Sequence, residues 1–457
     1  MAEPVRRRRM GLRLVAVAAV ALTATGCLQN PNPTGGAGGG GLGGFVDGGT
    51  ADGDKNVTIL GAFGGAEAEA FEASLVAFEE ESGIDVQYTP DQDFTTTVKQ
   101  KVNSGDSPDI GLFPQPGGLL EFAAQDKVNP IDTYLDYESL DSTLVPGLLE
   151  SARYRGRVYG APMRLAVKSL VWYPKPSWED GGYSVEPTSM QDLASVTDTV
   201  KGDGVAPWCM GWESDQATGW VGTDWIEEIV LRMWGPDVYD QWVSHEIPFN
   251  DERIVQSFEE FGKLAKTEGN VLGGSRGILN TPFGETMNPA FGPDPQCYLM
   301  RQGNFASGFL PADVQSDLDA KVGIFVYPPF EGGFEGQAIL GGGDIAGLFN
   351  GNDDDAKAVM QFLTSDQFGG EWAKAGGWLS PHTTFDATNY PNETTRQMAE
   401  IASSADVFRF DGSDLMPKEV GSGTFWTGMV EWMSGASSQE TADKIEASWP
   451  QAAEQSS

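Results

Sequence analysis

The stretch at 208–225, WCMGWESDQATGWVGTDW, sets four tryptophans among acids, amides and small residues. Indole faces stack on apolar surfaces, on the C–H faces of sugar rings and on cations, while carboxylates and amides at the edges take hydroxyl hydrogen bonds. Such a mixture suits a polyhydroxylated ring. It suits an aromatic core under acidic loops as well. Within it, Trp220 lies between Gly219 and Gly222 and is the candidate exposed indole, whereas Trp208 and Trp212 are expected in a core. Asp224, with Glu227 three residues on, has the spacing of a helix N-cap ahead of Ile226, Ile229, Val230 and Met233. Gly235 and Pro236 would end that helix.

Other chemistry can be weighed from residue types. GGSRG at 273–277 has a nucleophile-elbow spelling around Ser275, but no apolar strand precedes it. GGGDIA at 341–346 has a dinucleotide spelling, yet a strand-like run continues where a helix should begin. Both are read as turns. Paired carboxylates could serve glycoside hydrolysis, and in so acidic a chain such pairs arise by chance. A secreted glycoside hydrolase and a surface carbohydrate adhesin therefore stay open as alternatives. His245 and His382 are the only histidines and have no ligand-like spacing, so neither a metal site nor a cofactor is expected.

These residues need a frame, and the chain supplies one in stages. Residues 1–26 carry a cationic run, a short apolar run and a small-residue site before Cys27, the pattern of a signal peptide. The segment ATGC resembles the bacterial lipobox, with Ala24 where a bulkier aliphatic is usual, which implies lipidation of Cys27. Residues 27–53 are Gly-rich and read as a flexible tether to the outer face of a membrane. Beyond residue 26 the chain has 24 basic and 65 acidic residues, a net charge of −41, which excludes nucleic-acid binding and disfavours anionic ligands. Cys209 and Cys297 are an even pair in an exported chain and are expected to form a disulfide.

From Asp54 the pattern is β-α-β-α-β: VTIL, then Phe71, Leu75 and Phe78 at helical spacing up to Gly83, then IDVQY, a helix through Phe94 and Val98, and PDIGLF. This opens a doubly wound α/β sheet, whose ligands bind at the C-terminal strand ends. Those ends offer Glu67, Asp93 and Gln115. A helix-rich stretch follows from about 174 to 320, after which KVGIFVYPPF and AILGGGDIAGLF read as a return to the first sheet.

The segment SLVWYPKPSWEDGGYSVEPTSMQDLASVTDTVKGDGVAPW (169–208) resembles extracellular solute-binding proteins of bacterial ABC importers, with Ser189 and Met190 in place of the usual threonine and tryptophan. DAKAVMQFLTSDQFGGEWAKAGGWLSPH, DLMPKEVGSGTFWTGMVEWMSG and SSQETADKIEASW are similar to the same family, in its carbohydrate-binding branch near maltose- and α-glucoside-binding proteins. The resemblance implies a two-lobe periplasmic-binding-protein type II fold, each lobe a doubly wound sheet flanked by helices, with the ligand cleft between lobes. It implies residues 54–165 and 326–380 in one lobe, and 166–325 and 381–457 in the other. It further implies a monomer that does no chemistry and delivers a neutral mono- or oligosaccharide to permease subunits and their ATPase. Trp426 takes the position of a sugar-stacking aromatic, and Phe309 lies near another that is usually tryptophan. Arg164 and Lys168 flank the crossover, and Asp344 and Trp378 complete the expected ligand set.

Overall fold

In a computed structural model, residues 55–91, 93–183 and 187–450 are described. The signal peptide, the tether and Cys27 lie outside the described residues. The first sheet begins as the hydrophobic periods require: β1 (Asn56–Gly61), α1 (Ala66–Ser82), β2 (Asp85–Pro90), α2 (Phe94–Ser104), β3 (Ile110–Phe113) and α3 (Pro116–Ala124). β1 pairs in parallel with β2 on one side and β3 on the other. Phe71, Leu75 and Phe78 bury one face of α1, because residues three and four apart share a helix face. α1 stops at Gly83, whose φ of 71° suits glycine and whose N–H donates to the Glu79 carbonyl at 2.8 Å.

A small hairpin of β4 (Arg153–Tyr154) and β5 (Arg157–Val158) precedes the crossing point. β6 (Ala161–Val167) belongs to the first sheet, and β7 (Leu170–Pro174), two residues later, to the second. The second sheet has the order β10-β7-β9-β8, with β8 at Ala206–Trp208, β9 at Cys297–Arg301 and β10 at Val322–Val326. A Cys209–Cys297 disulfide, with Cα atoms 5.4 Å apart, ties the end of β8 to β9.

The return to the first sheet differs from expectation in two places. β10 pairs antiparallel with β7 in the second sheet, so of the two strand-like runs only β11 (Ala338–Leu348) goes back. β12 (Val407–Phe410), inside the stretch assigned to the second lobe, lies beside β11 in the first sheet, in the order β12-β11-β3-β1-β2 with β6 also on β11. Phe408 and Phe410 alternate inward there, which fixes the register. β11 runs antiparallel to β3 and β6, so this sheet is mixed.

Neither glycine motif is a simple turn. GGGDIA lies inside β11, with a bulge between Asp344 and Ile345. GGSRG opens a short helix, Gly274–Asn280. Among the described residues no helix is long and apolar enough to cross a membrane.

Most indoles serve the core. Nine of the thirteen tryptophans are fully buried, Trp208 and Trp212 among them. Trp225 stacks on Phe261 at 5.1 Å and Phe261 on Trp432 at 5.6 Å, a column that holds the second lobe together.

Candidate functional site

A cleft of about 370 Å³ opens where the strand ends of the first sheet face the aromatic surface of the second lobe. Ala62 and Phe63 follow β1 and Pro114 and Gln115 follow β3, so the chain direction of the parallel strands delivers both loops to the same edge. The loop after β2 does not reach the cleft, because β2 is the edge strand. Asp93 on that loop is exposed and does not line the cleft, and its backbone carbonyl accepts from Thr96 and Thr97 at the start of α2.

The polar wall centres on Arg164 of β6. It donates to Glu67, in the first turn of α1, at 2.8 Å and lies 3.7 Å from Asp344 of β11. Its guanidinium also covers the Trp372 ring at 5.1 Å and the Phe63 ring at 5.5 Å, which fixes its direction. Burial pushes the Asp344 carboxyl up to about 6, with Arg164 opposing and Glu67 reinforcing the shift.

The opposite wall is aromatic: Trp220, Phe283, Phe305, Phe309 and Trp426. Trp220 meets Phe283 edge-on at 4.9 Å and donates its indole N–H to Ser214 at 3.1 Å. Phe309, 48% exposed, stands at the rim against Phe283 at 5.1 Å. Gly219 has φ 118°, and a Cβ there would come within 2.2 Å of the Trp426 carbonyl oxygen. Only glycine permits this approach, which sets Trp220 beside Trp426.

The floor is charged. Lys168, on the crossing segment after β6, donates to Asp224 at 3.0 Å and to Asp411, and lies 5.5 Å from the Trp220 ring centre. Burial favours neutral Lys168, but Asp224 and Asp411 overcome it and hold the ammonium protonated. Burial likewise opposes ionisation of Asp411, yet Lys168 keeps that carboxyl below the usual range. Burial raises Asp224 to about 8, and raises Glu227 well above an ordinary carboxyl with help from Asp411 and Asp224. Glu227 accepts the Gly412 and Ser413 N–H groups at 2.8 and 3.0 Å. Asp224, Glu227 and Asp411 bring oxygens within 4.8 Å of one another, the spacing of a metal site, but the Lys168 ammonium already bonds two of the three.

Of the expected ligand residues, the fold brings Glu67, Gln115, Arg164, Lys168, Trp220, Phe309, Asp344 and Trp426 together at this cleft. Three are elsewhere. Asp93 is outside it, as described above, and Trp378 is buried against Phe368 and Trp372 at 6.0 and 6.3 Å. Asp224 is no N-cap: the helix starts at Trp220 after Gly219, so Asp224 falls in its interior and is buried under the floor. Phe63, Phe283, Phe305, Asp411, Ser413 and Asp414 line the cleft and were not anticipated. The repeated Asp in FDGSDLMP was the one local signal for two of them.

Residues 64–370 match the bacterial extracellular solute-binding protein family. The chain is 43% identical over 396 residues to the osmoprotective compounds-binding protein GgtB of Synechocystis, covering 87% of this chain and 93% of that one. It is 33% identical over 402 residues to the alpha-glucosides-binding periplasmic protein AglE of Rhizobium meliloti, covering 86% and 87%. Among solved structures, a chitin oligosaccharide binding protein superposes with a TM-score of 0.71 at 18% identity, covering 86% of this chain and 97% of that one. Maltose-bound MalE3 of T. maritima superposes with a TM-score of 0.65 at 16% identity, covering 86% and 98%. Members of this family are extracellular or periplasmic transport receptors that work with permeases, not enzymes. With a matched segment over most of the chain, relatives aligned along nearly their whole length and a two-lobe fold around one cleft, the chain belongs to the bacterial extracellular solute-binding protein family.

Proposed function

We propose that this protein captures a neutral saccharide or related polyol, of the α-glucoside type, in the cleft between its lobes, and hands it to the permeases of an importer. The observation that carries this reading is the division of the cleft into an aromatic wall facing a polar wall and a charged floor, whose cations, Arg164 and Lys168, are already paired with carboxylates. Trp220 and Trp426 offer faces for a pyranose, and Gln115, Glu67 and Asp344 offer hydrogen-bond partners for its hydroxyls. No unpaired cation among the described residues of the cleft invites an anion. The α-glucosides in the name of AglE support this ligand class. Closure of the lobes on the ligand would present one shape to the permeases. A lipid on Cys27 would hold the protein, as a monomer, at the outer face of the membrane, and no reaction would be catalysed.

The test is a thermal-shift and calorimetric panel of methyl α-D-glucopyranoside, maltose, trehalose, sucrose and glucuronate. A ligand at one hundred times its dissociation constant adds about 2.7 kcal/mol to stability, so a binder is easily seen. We expect at least one neutral glucoside to bind and glucuronate not to. Trp220→Ala and Trp426→Ala should each weaken binding by about 2 kcal/mol or more while leaving the protein folded. Unchanged affinity in both folded variants, or chromatographic detection of a cleaved sugar, would overturn the reading.

A further inference from the structure

Two carboxylates at the cleft are left without hydrogen-bond donors. Asp344 is 7% exposed, accepts no hydrogen bond from any described residue, and has Arg164 at 3.7 Å as its one ion-pair partner. Asp414 is half-buried, its side chain makes no hydrogen bond or ion pair among the described residues, and it too lines the cleft. Every other charged side chain of the lining is engaged: Glu67 with Arg164, and Lys168 and Ser413 with Asp411.

Their placement is built by the backbone. Asp344 lies opposite Arg164 in the β6–β11 ladder, immediately before the bulge that separates it from Ile345. A bulge changes the direction of the side chains beside it, and here it interrupts a strand that is otherwise core. Gly343 before it has φ 152°, and a Cβ there would lie 2.0 Å from the Arg164 carbonyl oxygen, so the strands close at this point around the acid. Asp414 sits in the short helix Gly412–Leu415, its N–H donating to Asp411 at 3.0 Å. A nearly buried carboxylate such as Asp344, left without a donor inside the protein, is costly unless water or a ligand in the cleft supplies one.

We propose that Asp344 and Asp414 are a pair of acceptors completed by the ligand, each taking a hydroxyl of the bound saccharide, so that the cleft selects polyols presenting both donors and releases them in acid. The proposal rests on the saccharide-receptor reading above and names the hydroxyl pattern that reading leaves open. An ionised carboxylate accepts only, so replacing either ligand hydroxyl by hydrogen or an ether leaves a buried acceptor unpaired, the situation that discriminates most strongly against analogues. The groups facing Asp344 are Arg164 from β6, Glu67 from α1, Tyr88 from β2 and Asp414. Those facing Asp414 are Asp411, Lys168, Asp224 and Asp344. Burial, then Asp411, raises the Asp414 carboxyl, and burial raises Asp344 to about 6, so the Asp344 acceptor loses its charge as pH falls through mild acidity.

The experiment uses the whole chain with the glucosides named above. Calorimetry from pH 5 to 8 should show affinity falling as pH drops through about 6. Asp344→Asn and Asp414→Asn should each bind about 10- to 100-fold more weakly at pH 7.5, and Asp344→Asn should flatten the pH profile. Against the wild type, the monodeoxy and mono-O-methyl series of the bound glucoside should contain two positions with a similar loss. If both asparagine variants are folded and bind as the wild type does, or if no pair of hydroxyls matters in the deoxy series, the acceptor assignment is wrong while the receptor reading stands. A wild type silent toward every glucoside overturns both.

Discussion

The helix Trp220–Trp234 carries two buried charge clusters, and they are built on opposite plans. In the first, Glu228 accepts from Arg232, from Arg301 at 2.7 Å and from Ser169 at 2.7 Å, while Arg232 also reaches the Ala338 carbonyl at 2.7 Å. Two guanidiniums share one carboxylate, and despite its burial they hold Glu228 below the usual carboxylate range. In the second, one turn toward the helix start, Lys168 stands among Asp224, Glu227 and Asp411, so acids outnumber the cation and two of them are pushed up. The cation-rich cluster pins β7, β9 and β11 to the helix and has no part in the cleft lining. The acid-rich one underlies the cleft. Charge that serves the fold leaves a donor over, the buried Arg301 Nε, whereas charge at the site is left with acceptors to spare.

Breaking the cation-rich cluster should cost the most. Glu228→Ala strands two buried guanidiniums and should lower unfolding free energy by about 3 to 5 kcal/mol in urea. Because the folded carboxyl is depressed, this contribution is complete above the unfolded value of 4.5 and is lost as pH falls below it, so the penalty should shrink in acid. A penalty that stays constant down to pH 3 would mean the loss is packing rather than charge.

At the cleft the sign reverses. Asp344 is raised from 3.8 to about 6, so its ionisation opposes folding, fully above pH 6 and not at all below about 3.8. Asp344→Asn should therefore stabilise the ligand-free protein at pH 7 by up to about 3 kcal/mol, with the gain vanishing toward pH 4. Differential scanning calorimetry at the two pH values decides it, and a variant less stable at pH 7 would equate Asp344 with Glu228.

The smallest effect belongs to Asp224. Burial penalises its charged form and raises it to about 8, and Asp411 remains as a partner of Lys168, so the nearly isosteric Asp224→Asn should change stability by less than about 1 kcal/mol. A loss as large as that of Glu228→Ala would show that Asp224 is an ionised partner of Lys168 and would erase the contrast between the two clusters.

The first sheet was legible because its signals are local. Val57 and Ile59 alternate, Phe71, Leu75 and Phe78 keep helical spacing, and Gly83 ends the helix. The disulfide followed from Cys209 and Cys297 being the even pair left once Cys27 is set aside in a chain read as exported. What escaped depends on contacts far along the chain. Asp224 has a cap's spacing, but the left-handed Gly219 starts the helix earlier and a lysine 56 residues away claims the side chain. Trp378 follows a helix pair and resembles a platform residue, yet Trp372 and Phe368 bury it. Asp411 and Asp414 reach the cleft only because the four-residue β12 inserts beside β11, a pairing that its short sequence does not announce.

The contact between Gly219 and the Trp426 main chain has a consequence for redesign. Since no side chain separates these two segments, the spacing of the Trp220 and Trp426 main chains is a property of the backbone and leaves the two indoles only their own rotamers to adjust. The pair acts as a ruler. Exchanging Phe283, Phe305 or Phe309 changes what fills the space beside it, while the ruler's length stays fixed, so variants of this wall should shift preference among ligands of one size more readily than between sizes. A change of size class has to begin at Gly219.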